Sequence, residues 1–239
     1  MLRIGAALLA APFFGAASVP VQVRTGLAGA IAVLVCAWTP LQPPPALISL
    51  DGLLMAAGEV LVGLSLGFIL QVTFAAPVIA AELISGSMGL GMVTAHDPAT
   101  GDRSTALGQY FSVVLALIFL TLGAHLQFLR LVIDSYQAFP PGQTWLGPDR
   151  LEYIISFGGQ MFATATSIAL PVTLILLIVQ MVTGVLSRSA PSLNLFALGL
   201  PAGVLAGIAG LIVAFPLLTG QLIDLSQVAI ENSAGLLAK

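Results

Sequence analysis

Ten acidic and seven basic side chains carry all the charge in 239 residues, so each one set among apolar neighbours is a candidate for chemistry. Glu59, Glu82 and Asp97 stand beside or within long apolar runs. A carboxylate at membrane depth is costly and usually pairs or lines a wet path. A small proton-coupled carrier using Glu59, Glu82 or Asp97 is therefore one function class that these residues admit. The alternative makes such carboxylates markers of segment ends, and Glu82 and Asp224 stand at the ends of apolar runs. Arg130 and Asp134 lie four apart, the spacing of an ion pair along a helix.

The densest polar cluster is GLGMVTAHDPATGDRS, residues 89–104, with apolar runs on both sides. It holds Met92, Val93, His96, Asp97, Pro98, Gly101, Asp102 and Arg103. A metal site needs several donors at ligand spacing, and neither His96 nor His125 has a Cys, His or carboxylate so placed. The carboxylates of DPATGD lack the alternation and closing Glu of a calcium loop. Gly86-Ser-Met-Gly89-Leu-Gly91 precedes no strand-to-helix turn that would cradle a phosphate. Asp-Pro and Thr-Gly-Asp read more simply as turns. No catalytic, cofactor or metal residue can be nominated, so the expectation is a protein that is not an enzyme.

The elements that hold this cluster must live in lipid or against other apolar protein. The chain is 58% hydrophobic and 7% charged, far from the roughly 25% charge that wets a soluble domain. That identifies an integral membrane protein. With a net charge of −3 and no basic patch, it has nothing to neutralise a phosphate backbone, which excludes nucleic acid as a partner. The lone Cys36 cannot form an intrachain disulfide and reads as a small buried hydrophobe.

Apolar stretches run roughly over 4–19, 26–41, 53–81, 106–129, 153–186 and 193–223, with no linker long enough for a separate soluble domain. No alternating pattern suggests a barrel, so the expected fold is one all-α membrane domain, residues 1–239, of about six helices. A span takes about 20 residues, so the first stretch is short and the last two are long. Pro171, Pro201 and Pro216 lie inside those long stretches, predicting kinked, tilted or hairpin-like helices. Sorting Arg3, Arg130, Arg150 and Lys239 against Arg24, Arg103 and Arg188 leaves no charge bias from which to read orientation. The N-terminal MLRIGAALLAAPFFGAAS fits either a signal peptide or a first membrane segment.

Glycines recur at helical spacing: Gly58, Gly63 and Gly67 in the third stretch, Gly199, Gly203, Gly207 and Gly210 in the last. Such small-residue faces let helix backbones approach closely in lipid. They serve either partner subunits or packing within the same chain.

Several blocks together resemble one family. Arg3, Pro12, Pro20 and Arg24 open the chain in order, and GEVLVGLSLGF follows with Gly58, Glu59, Gly63, Gly67 and Phe68. AELISGSMGLGMVTAHDPATGD then supplies Glu82, Met88, Gly89, Asp97, Pro98 and Gly101. Gly123, His125, Asp134, Pro140 and Gly142 come next, and then Pro171, Gly184, Arg188, Pro191, Asn194, Phe196, Gly199 and Pro201. Over about residues 3 to 216 this order resembles the flagellar biosynthetic protein FliR family and its injectisome relatives. Ser87, where that family usually has Gln, and a short C-terminal tail are the departures.

The resemblance implies a pore-forming subunit of the type III export gate in the bacterial inner membrane, at the flagellar basal body. It implies assembly with FliP-like and FliQ-like chains into a closed helical complex, with an FlhB-like switch protein as a further partner. Unfolded flagellar subunits would pass through the centre. The chain would itself combine a FliP-like N-terminal part with a FliQ-like C-terminal part. Met92 to Gln109 would project into the channel as a plug, sealed by Met88, Met92 and Val93 beside His96, Asp97, Pro98, Gly101, Asp102 and Arg103. Gly58, Gly63, Gly67, Gly199, Gly203 and Gly207 would then be subunit-packing positions. The resemblance also favours the first membrane segment over the signal peptide.

Overall fold

The computed structural model describes residues 1–16, 19–38, 49–90, 105–142, 147–189 and 195–238. Seven helices occur among them and no strand: α1 Leu2–Ala10, α2 Val21–Trp38, α3 Leu50–Ser87, α4 Ala106–Thr121, α5 Ala124–Ala138, α6 Pro148–Ser189 and α7 Leu195–Ala238. The all-α reading holds. The fourth apolar stretch is two helices, because the chain turns at Gly123, whose φ of 67° lies in the left-handed region that glycine enters without penalty.

Helices α2, α3, α6 and α7 are long and apolar enough to cross a membrane, and the bent pair α4–α5 makes a fifth candidate. At 42 and 44 residues, α6 and α7 each extend over about 60 Å at about 1.5 Å per residue, twice the hydrocarbon core of roughly 30 Å. Pro77, Pro171, Pro201 and Pro216 all fall inside helices. Asp224 does not end the last helix. It stands exposed on α7, which runs on to Ala238. Cys36 is exposed on α2, correcting the expectation of a buried thiol.

The chain folds as two compact units, each built from separated segments. The first comprises Met1–Phe74, Ile118–Gly159 and Leu225–Lys239. Its core gathers Ile4, Leu8, Leu66, Ile69, Leu70, Phe119 and Phe128, all fully buried. Helix α1 turns Arg3, Ile4, Ala7 and Leu8 inward, a spacing that places them on one helical face. It packs on α2 and α5, and its Ala6, Ala7 and Ala10 lie against Gly63 and Gly67 of α3. Phe13 follows with a φ of 69°. Its ring stacks edge-on to Phe74 at 5.1 Å, and Phe74 meets Phe119 at 5.0 Å. That aromatic contact helps hold a conformation a bulky residue rarely adopts.

The second unit comprises Ala75–Leu117 and Gln160–Asp224. Ala80, Ile84, Leu115, Ala165, Ile168, Val172 and Leu176 form its core. Its outer face is apolar as well, with Leu174, Ile178, Met181 and Val185 of α6 all exposed. Lipid or other membrane helices are the environment such a face requires.

Candidate functional site

The segment expected to act as the plug joins the end of α3 to the start of α4, both in the second unit. Both ends are tied down. At the α3 end, Leu90 N–H donates to the Ser85 carbonyl at 3.0 Å and Gly89 N–H to the Gly86 carbonyl at 3.1 Å. Gly89 has a φ of 85°. This is the Schellman arrangement, in which a left-handed glycine turns two orphan helix carbonyls back onto the chain. The next carbonyl, of Ser87, accepts from Gln180 Nε2 of α6 at 2.7 Å.

At the α4 end, Thr105 is the N-cap: its hydroxyl accepts from Gly108 N–H at 3.1 Å. That satisfies one of the free N–H groups a helix start leaves over. Thr105 N–H donates to the Glu82 carboxylate at 2.8 Å, and Ser85 Oγ donates to Thr105 Oγ1 at 3.3 Å. Thr105 and Ser85 are buried. Glu82 thus bridges the last turns of α3 to the N-cap of α4.

Met88 sits in the turn and is buried. Its side chain and carbonyl fill the space over Gly207 and Gly203 of α7, where an added Cβ at Gly207 would meet the Met88 side chain at 2.5 Å. The thioether packs the turn against α7 in the notch that Gly207 leaves open. Met92, Val93, His96, Asp97, Pro98, Gly101, Asp102 and Arg103 lie outside the described residues.

The other glycine positions divide. Gly63 and Gly67 are filled by α1: a Cβ at Gly67 would come 2.7 Å from the Ala7 carbonyl, and one at Gly63 would overlap the Arg3 carbonyl. Gly58 and Gly199 face open space.

The carboxylates of the carrier reading are engaged elsewhere. Glu59 accepts from Arg3 twice, Nη2 to Oε1 at 2.6 Å and Nε to Oε2 at 3.1 Å. Arg3 is 1% exposed. It spends its remaining donors on Ser135 O at 2.7 Å, Ser135 Oγ at 3.2 Å and Phe139 O at 2.8 Å. Its guanidinium lies 4.1 Å from the centre of the Tyr136 ring. All five N–H groups are satisfied and the charge is matched, the condition under which a buried arginine is tolerated. Glu59 thus serves as the counter-ion of Arg3 and Glu82 holds Thr105, and Asp97 lies outside the described residues. Arg130 and Asp134 form the expected pair at 3.6 Å on an exposed face. Among the described residues no group of His, Cys, Asp and Glu is placed to hold a metal.

Sequence reasoning missed Gln180, Ser85 and Thr105. Thr105 carries the available signal, a threonine immediately before an apolar run. Gln180 has none, because its partner is a backbone carbonyl 93 residues away in sequence.

Residues 1–228 match the family model described as "Bacterial export proteins, family 1". The chain is 32% identical to the flagellar biosynthetic protein FliR of Escherichia coli, over 91% of this chain and 83% of that protein. It is 33% identical to FliR of Bacillus subtilis over 99% and 92%. The secretion system apparatus protein SsaT of Salmonella typhimurium is 30% identical over 68% and 63%.

Proposed function

The chain belongs to bacterial export proteins family 1, together with the FliR proteins, and from that premise we propose that it is a structural, pore-forming subunit of the flagellar type III export gate. The reading is carried by similarity to FliR proteins along nearly the whole length, including 99% of the chain against the Bacillus subtilis protein. The subunit sits in the bacterial inner membrane and assembles with FliP-like and FliQ-like chains, its own N-terminal part FliP-like and its C-terminal part FliQ-like. An FlhB-like switch protein docks on the assembly, and unfolded flagellar proteins pass through its channel. Of the 92–109 stretch, residues 92–104 enter that channel as a plug while Thr105 and the start of α4 form its base, and Gly58 and Gly199 offer open helix faces to neighbouring subunits. No step of this role needs a catalytic residue.

Co-expression with FliP-like and FliQ-like chains, followed by purification in mild detergent, tests the proposal. A large hetero-oligomer containing all three chains is expected. A stable monomer or homodimer that moves a small solute overturns it.

A further inference from the structure

Within the first unit a cavity of about 290 Å³ opens between the start of α5 and the last turns of α7. Leu122 and Ile230 line it on one part, and the exposed Gln127, Gln227 and Glu231 line it with the buried Ser226 on the rest. On α7 these positions recur at one- and four-residue steps, so they share a face.

Ser226 is the telling residue. It is fully buried, yet its hydroxyl has no hydrogen-bond partner. Among the described residues the other buried serine and threonine hydroxyls each have one: Thr73 with Ile69 O, Ser135 with Val132 O, Ser233 with Ala229 O, and Ser85 with Thr105. A buried polar group without a partner is costly, and in native proteins its partner is normally present. Glu231 makes no ion pair among the described residues, and no lysine or arginine lines the cavity. Exposed Leu126 on α5 and Val228 on α7 complete an apolar setting.

The chemistry selects the occupant. At about 30 Å³ per water, the cavity has room for roughly ten waters, too loose for a bare metal ion, and it offers one carboxylate. The Glu231 carboxylate, the Ser226 hydroxyl and a glutamine carbonyl together make three acceptors around a wet space. A lysine ammonium is a compact, strongly hydrated charge with three donors, which suits a wet space with one carboxylate, whereas a guanidinium is a weakly hydrated planar fork suited to dry bidentate pairing. We propose that this cavity receives the ammonium of a lysine projecting from a neighbouring membrane helix, with Glu231 as its counter-ion and Ser226 as an acceptor. The proposal rests on the assembly reading above, since it requires a partner chain.

The test treats the complete assembly in mild detergent with a water-soluble carbodiimide, which joins a carboxylate to an adjacent lysine amine as an amide. Peptide mass spectrometry is expected to find Glu231 coupled to a lysine of a partner chain, and to lose that peptide in Glu231→Gln. Glu231→Lys is expected to lower partner recovery at least tenfold while the chain itself is still recovered monodisperse. Ser226→Ala should reduce partner recovery without changing the melting of the isolated chain. Absence of the coupled peptide together with unchanged recovery in every variant means that the cavity holds only solvent, and overturns the proposal. Coupling to Lys239 of the same chain overturns it too. If the unmodified chain recovers no partners, the assembly reading fails and the lysine site falls with it, an outcome set apart because it needs no substitution.

Discussion

Arg3 shows what a single residue does in this fold. A guanidinium buried in an apolar chain survives only with its charge matched and its donors filled, and Glu59, Ser135 and Phe139 supply both. Removing one side of such a pair strands a buried charge, whereas replacing both sides with apolar groups removes the problem. Glu59→Ala is therefore expected to cost about 3–5 kcal/mol, an order-of-magnitude value for a broken buried pair, seen as a lowered melting temperature in detergent. The double variant Arg3→Met, Glu59→Leu should recover most of the loss, and equal instability of single and double variants would show that the pair is not the cause. The sequence makes Arg130–Asp134 legible because a four-residue step on a helix is a local pattern. It is silent on Arg3–Glu59, whose partners are 56 residues apart and meet only after α1 folds back against α3.

At the scale of the element, small residues set how closely helices cross. Glycine spacing in the sequence marks close-packed faces without naming the neighbour. The structure places α1 over Gly63 and Gly67 and Met88 over Gly203 and Gly207, while Gly58 and Gly199 stay open. Gly67→Leu must push backbone against backbone, so it is expected to destabilise the isolated chain by about 3 kcal/mol or more, at the upper end for overpacking. Gly58→Leu should leave the isolated chain's melting temperature unchanged and reduce only its recovery with partner chains. Equal destabilisation of the two in the isolated chain would refute this division. Helix ends leave a local signal where they have their own chemistry, as at Gly89 and Thr105, although hydropathy alone does not read it. Charge alone is a poor mark of an end. Asp224 stands on the surface of α7 and lets the helix continue, and Gly123 breaks an apolar run that hydropathy reads as continuous.

For the whole molecule, the proposed gate role asks for a fixed frame and a separate seal. All-helical membrane architecture followed directly from composition, because lipid leaves the backbone few ways to satisfy itself. The division into two units built from interleaved segments did not, because it depends on long-range packing that no local pattern records. The frame is visible on either side of the 91–104 segment, where the Schellman turn at Gly89, the Thr105 cap and the Glu82 brace tie both ends through residues that lie outside it. Shortening the segment should therefore leave the frame intact. Deleting Ala99–Arg103 is expected to preserve co-purification with FliP-like and FliQ-like chains and to raise ion conductance of the reconstituted closed assembly above background. Substituting Glu82→Ala, which loosens the base instead, should lower the melting temperature of the chain and raise the leak together. Background conductance in a deletion variant that assembles normally would remove the plug role from this segment and leave it a surface turn.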